Sequence, residues 1–502
     1  MTCTIGYPQH LFIDTMLSKI FINSRKAILA LYLVIATVQI SNGQPGTVSF
    51  TSEDTSVQKT FEWAKTMALH YRGDVKDPVG PWYESALPPR YAFCMRDVSH
   101  QCIGAEILGL DKENVNMFGL FVSNISASKN WCSFWEINKW NKPAPEDYRN
   151  DMAFWYNLPA NFDLINACLR LYQWTGNTHY ISDPDFTNFQ EKTVNEYIDQ
   201  WRLQPDSLLI RSPHPNAPVP FNENDSFNRC RGLPSYAEAR QDVKMGVDLV
   251  ASIYRGLLTY SSILSLKGHT KEADKFRKLA ESYYTRLESD WWNEKERKYY
   301  TFYDNSGSFG NDEGEAFLLW FDALKDKDRI NKTFKSISGT LRGVEVTSYY
   351  PLIFYKYGHW EDARKYLLQL AAPSTKRREY PEVSYSIVEG VVQGLMGVSP
   401  DASINTITTL YRPVHPGSSS IKNLNVLGTK IGLTHKSNKE SELFNDGNKN
   451  LKWKAVFYGK FNTALVNTNK VKLKNGFSED GMPVSYLVIA VQPHQKTNIK
   501  AL

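Results

Sequence analysis

The hydrophobic pattern changes period once along the chain, and that change limits the folds open to it. From about Thr51 to Val398 apolar residues recur at helical spacing, as in "SVQKTFEWAKTMALHYR" (Ser56–Arg72) and "VDLVASIYRGLLTYSSILSLKG" (Val247–Gly268). "TKEADKFRKLAESYYTRLESDWW" (Thr270–Trp292) continues the theme behind a Thr cap. After "GVSPDA" (Gly397–Ala402) short alternating runs such as "INTITTLYR", "LKWKAVFYGK" and "VSYLVIAV" take over, broken by "NDGNKN" and "SEDG" turns. Helices first and strands afterwards predict two domains rather than a doubly wound sheet. The expected units are a mainly α domain over residues 44–402 and a small β-sandwich over 403–502. No fixed-period repeat marks a solenoid.

Composition narrows the class of function. The chain has 502 residues and a net charge of +5, and its longest basic run is Lys376-Arg377-Arg378, so no nucleic-acid partner is expected. Its 13 Trp, 28 Tyr and 25 Phe are rich for this size. Aromatic faces serve the core first, but a surplus of them also suits clefts that take flat apolar faces such as sugar rings.

The N-terminus has the features of an export signal over residues 1–43. Lys19, Arg25 and Lys26 precede the apolar stretch Ala27–Ile40, and Ser41–Gly43 offers small residues for cleavage. Met16 is the better start. The apolar stretch is short for a membrane span, so an exported protein without stable membrane insertion is expected. Five cysteines follow this segment: Cys94, Cys102, Cys132, Cys168 and Cys230. Their spacing fits neither a disulfide framework nor a zinc site, and they are expected as buried small hydrophobes. No metal or organic cofactor is implied, with a structural calcium left open.

The stretch "RYAFCMRDVSHQCIGAEILGL" (Arg90–Leu110) puts Arg96, Asp97, His100 and Gln101 at the mouth of an otherwise apolar helix. Its "MRD" element resembles the Arg-Asp element of the six-hairpin glycosidases, the glucoamylase-like, rhamnosidase-like and debranching-like enzymes. "DVKMGVDLVASIYRGLL" resembles their mid-barrel helix, and "EYPEVSYSIVEGVVQGLMGVSPDA" the last barrel helix of members that also carry a β domain. The resemblance spans roughly Thr51–Ala402. It implies an (α/α)6 toroid followed by a C-terminal β-sandwich, a carbohydrate substrate, and a sugar clamp formed by Arg96 and Asp97. His100 and Gln101 would support that clamp.

Glycoside hydrolysis needs an acid for the leaving oxygen and, with inversion, a base for water, held roughly 6.5–9.5 Å apart. The resemblance puts the acid before the mid-barrel helix, at Asp242 and then Glu238, and the base near the last one, at Glu382, then Glu379 or Glu389. Each is also readable as a solvated or helix-capping carboxylate. The acidic turn Asp312, Glu313 and Glu315 reads as a helix cap. Trp82, Tyr83, Trp131, Trp135, Glu136, Trp155 and Tyr156 are candidates for a cleft wall, against core packing for any one of them. The chain lacks the Trp-Glu-Glu signature of glucoamylases, which argues against starch. The expected activity is exo-acting, inverting glycoside hydrolysis; the rivals are a polysaccharide lyase on an (α/α) toroid and a non-catalytic glycan-binding protein.

Overall fold

A computed structural model describes residues 47–86, 88–238, 240, 242–338 and 342–502. The expected export segment lies outside the described residues. The long helices give way to the long strands at the point where the hydrophobic period changes.

The helical part is built of α1 (Thr55–His70), α2 (Met95–Ile107), α3 (Asp111–Ser123), α4 (Pro159–Thr175), α5 (Pro184–Lys192) and α6 (Val247–Leu266). It continues with α7 (Thr270–Asp290), α8 (Glu315–Trp320), α9 (Lys327–Ser338), α10 (Tyr350–Lys356), α11 (Trp360–Ala371) and α12 (Pro381–Glu389). The even-numbered helices form an inner ring: α2 packs on α4, α4 on α6, α6 on α8, α8 on α10, α10 on α12, and α12 returns to α2. The odd-numbered helices lie outside them. Sequence explains the division. Helix α6 is buried nearly all round, whereas α7 buries one stripe, Ala273, Phe276, Ala280, Tyr283 and Leu287, and gives its Lys, Arg and Glu residues to solvent. Where α2 meets α12 the backbones nearly touch. A Cβ at Gly104 would lie 2.4 Å from the carbonyl oxygen of Tyr385, so only glycine closes the ring there.

Local signals fix the helix starts. Asp54 and Asp183 cap α1 and α5 by accepting the amides of Val57 and Asp185, and prolines stand in the first turns of α4, α5, α10 and α12. The five cysteines are all buried, as expected of small hydrophobes.

Besides short strands in the loops of the helical part, two larger sheets form a sandwich. Their strands are β1 (Ser49–Ser52), β2 (Ser399–Asp401), β3 (Thr406–Leu410), β4 (Ser419–Val426), β5 (Thr429–Ser437) and β6 (Glu440–Asn445). These are followed by β7 (Leu451–Tyr458), β8 (Thr463–Val466), β9 (Asn469–Lys472), β10 (Lys474–Phe477), β11 (Pro483–Val491) and β12 (Lys496–Ala501). One sheet runs β1-β4-β5-β6-β12-β8-β9 and the other β2-β3-β7-β11-β10. Only the β3–β7 pair is parallel within these two sheets. The sandwich thus begins at β2, slightly before the expected boundary, and takes its edge strand β1 from the other end of the chain, paired antiparallel with β4.

The sandwich packs where inner helices end. The indole N–H of Trp174, at the close of α4, donates to the Asn425 carbonyl at 3.1 Å, and His435 Nε2 lies 2.9 Å from the Met396 carbonyl oxygen. Residues 48–502 make one compact unit.

Candidate active site

The opposite, N-terminal ends of the inner helices surround a pocket of about 200 Å³. Arg96 reaches it from the first turn of α2. Tyr236 and Glu238 come from the loop before α6, Glu313 from the loop before α8, and Glu345 and Tyr349 from the segment before α10. Helix N-termini carry partial positive charge and favour carboxylates beside them.

Two short strand pairs position the clamp. Ala92–Cys94, immediately ahead of Arg96, pairs with Glu136–Asn138. Glu136 is buried there on Arg90 at 2.8 Å, and burial with the neighbouring Asp147 pushes its carboxyl up to about 10. It braces the strand and is absent from the pocket wall, contrary to its expected place in the cleft.

Arg96 Nε donates to Asp97 Oδ1 at 2.9 Å, and its Nη1 lies 3.9 Å from Glu238 Oε1. The guanidinium also sits 5.5 Å above the Tyr236 ring. Asp97 is only 4% exposed and stands behind Arg96 rather than in the wall. Glu382, on α12, is still deeper. Burial first, then the Asp97 carboxylate, pushes its carboxyl well above the usual range, and neither of its oxygens meets a hydrogen-bond partner among the described residues. Its side chain is 1% exposed and absent from the pocket wall, with His100 Nδ1 at 3.9 Å.

Glu238 presents over a third of its side chain to the pocket while Asn157 Nδ2 donates to its Oε1 at 2.7 Å. Burial raises this carboxyl above its ordinary range, against the opposing pull of Arg96 and Asn157. Asn157 is itself held by the Trp155 indole N–H at 3.1 Å. Glu345 accepts an ion pair from Arg377 at 2.8 Å. Glu313 also lines the wall, raised by burial, with Arg342 at 3.9 Å. The floor is aromatic: Phe317 lies 5.1 Å from Tyr349 and 5.2 Å from Tyr236.

Several expected residues stand elsewhere. Asp242 is about half exposed, held by Arg240 at 2.6 and 3.0 Å, outside the pocket wall. The reason is the path of the chain. Strand Val243–Gly246 separates Asp242 from α6, while the preceding loop turns back so that Asp248, in the first turn of α6, accepts the Tyr236 amide at 2.5 Å. Residues 236–238 therefore reach the helix mouth and Asp242 does not. Glu379 is exposed, and its backbone carbonyl takes the Tyr71 hydroxyl. Glu389 pairs with Arg170 far along α12.

Most of the expected aromatic wall is core. Trp82 is 4% exposed with its indole on Asp77, and Tyr83 is fully buried on Asn114. Tyr156 is fully buried on Asn161, and Trp135 packs edge-on to it. Trp131 is half-buried beneath Lys192. His100 stacks on Tyr349 with centroids 3.6 Å apart, and burial keeps its imidazole neutral, well below its usual range. Gln101 is buried beneath the pocket, and neither amide atom meets a partner among the described residues. Tyr236, Glu345, Tyr349 and Asn157 went unnoticed in the sequence; the glycines beside Glu313 and Glu345, Gly314 and Gly343, were the available signal.

No protein-family model matches the chain, and no curated protein matches it by sequence. Solved structures do. It is similar to a rhamnosidase of Bacillus sp. GL1, with a TM-score of 0.57 and 13% identity over 80% of this chain and 40% of that one. It is similar to an alpha-L-rhamnosidase from Dictyoglumus thermophilum, at 0.56 and 14% over 91% of this chain and 50% of that one. An alpha-L-rhamnosidase from Aspergillus terreus gives 0.51 and 12% over 88% and 50%. The chain thus spans half or less of the length of these proteins. The likeness is one of fold: the chain shares a helical toroid followed by a β domain with these structures.

Proposed function

We propose that the protein is an exported glycoside hydrolase that removes a terminal sugar with inversion of configuration. One observation carries this reading: a single small pocket gathers Glu238 and Glu345 around the Arg96 guanidinium at the helix N-termini. Its volume is below the ~300–1,000 Å³ of pockets for drug-sized ligands and suits one sugar ring, which supports exo action. Arg96 and the aromatic floor hold the ring. Glu238, with its carboxyl raised by burial, protonates the glycosidic oxygen as the C–O bond breaks. Glu345, oriented by Arg377, takes a proton from the water that attacks the anomeric carbon from the other face. The chemistry so written calls on two carboxyls and water, with no organic cofactor. Three carboxylates line the pocket against Arg96 as its one lining cation among the described residues, a poor seat for a uronate, which weighs against the lyase reading.

The test is turnover of a panel of aryl glycosides and oligosaccharides, with the first-released anomer followed by NMR. Release of one sugar with inverted configuration, lost in Glu238→Gln and Glu345→Gln, is expected. Retained configuration, an ultraviolet-absorbing unsaturated product, or sugar binding without turnover would overturn it.

A further inference from the structure

A second and larger cavity, about 500 Å³, lies at the far end of the ring, between inner helices and the five-stranded sheet. Two walls bring cations to it. Arg255 on α6 and Lys356 on α10 line it from the barrel, and Arg412 and Lys454 from the sandwich. Between them runs an apolar strip that includes Leu319, Ile353, Val456 and Val484.

The cations exceed their partners. Asp322 alone serves both Arg255 at 3.3 Å and Lys356 at 2.5 Å. Arg170 is engaged by Glu389, and Glu479 is the remaining carboxylate of the wall. With these, five cations meet three carboxylates, a surplus of two. Helix C-termini attract cations on their own account, and Arg412 Nη1 does close the π-helical turn Gly390–Leu395 that continues α12, donating to the Gln393 and Gly394 carbonyls at 3.4 and 3.0 Å. That explanation does not reach Lys454, which sits on strand β7 and makes no ion pair among the described residues, or Arg255 in the middle of α6. Two buried donors, Arg412 Nε and the indole N–H of Trp320, also meet no acceptor among the described residues, and both residues line the cavity. Buried donors ordinarily find a partner.

We propose that this cavity is a binding site for a small dicarboxylate, one carboxylate on the Arg255–Lys356 wall, the other on the Arg412–Lys454 wall, and the carbon chain along the apolar strip. A single-centred anion meets one wall only. The inference is independent of the glycosidase reading, which concerns the other end of the ring.

Isothermal titration of the full chain at fixed ionic strength tests it, with succinate as probe and inorganic phosphate as the single-centred control. Saturable one-site binding of succinate is expected, about tenfold or more weaker in both Lys454→Ala and Lys356→Gln, since a charged hydrogen bond is worth roughly 1.5–3 kcal/mol. Phosphate should bind at least tenfold more weakly than succinate. The two variants disrupt opposite walls, so loss of folding in one leaves the other as the test. Absence of saturable succinate binding, affinity unchanged in either folded variant, or phosphate binding as tight as succinate would overturn the proposal.

Discussion

The two ends of the inner ring differ in charge, and the difference follows the helix dipole only in part. The N-terminal end collects Glu238, Glu313 and Glu345, and the C-terminal end collects Arg170, Lys356 and Arg412. A macrodipole favours that arrangement at both ends by roughly 0.3–1 kcal/mol for each exposed charge. Yet the carboxyls at the favourable end are raised, not lowered: Glu238, Glu313, Asp97 and Glu382 all move upward, with burial the leading cause. Desolvation outweighs the dipole there. A carboxyl that must hold its proton near neutrality is better made by burial than by its helix position.

The largest test of this contrast is the loss of catalysis. Glu238→Gln should lower kcat on any accepted glycoside roughly 10²–10⁴-fold, the usual worth of a general acid. Asp242→Asn, by contrast, should leave kcat within about twofold; a large loss there would return the acid to the residue that sequence position favoured. Next in size is the buried acid pair. Glu382→Ala should cost about 2–4 kcal/mol in denaturant unfolding, because it opens a cavity at a fully buried site, whereas Glu382→Gln keeps the volume and should cost less.

A titration sharpens the same point. Burial raises Asp163 to about 7, and Tyr236 donates to it at 3.3 Å. Its folded value lies above the unfolded one, so stability from this group is full below the unfolded value near 3.9 and declines as pH rises through about 7. Unfolding free energies of Asp163→Asn and the parent, compared from pH 4 to 8, should therefore move in the variant's favour as pH rises. The smallest effect is expected at Trp155→Phe. It removes the indole N–H that orients Asn157 against Glu238, worth about 1 kcal/mol or a few-fold in kcat. No change in kcat would show that Asn157 is held well enough without it.

Part of this was legible in the residues. Arg96 was found because charges crowd the first turn of an apolar helix, and the change of hydrophobic period divided helices from strands. Asp242 was expected in the pocket because proximity in sequence stood in for proximity in space: a strand of four residues, Val243–Gly246, carries it away while an earlier loop returns Glu238. Trp82, Tyr83 and Tyr156 were misread because composition cannot separate a cleft aromatic from a core one, and burial decided for the core. Glu345 left no mark, since its partner Arg377 is distant in sequence.

Strand β1 bears on how the molecule is made. Its partner β4 lies some 370 residues downstream, so during synthesis the first strand waits with its edge unpaired until nearly the whole chain has emerged. The sandwich cannot be excised as a contiguous C-terminal fragment without baring the edge that β1 covers. Any processing upstream must stop short of Ser49 to leave that seam closed.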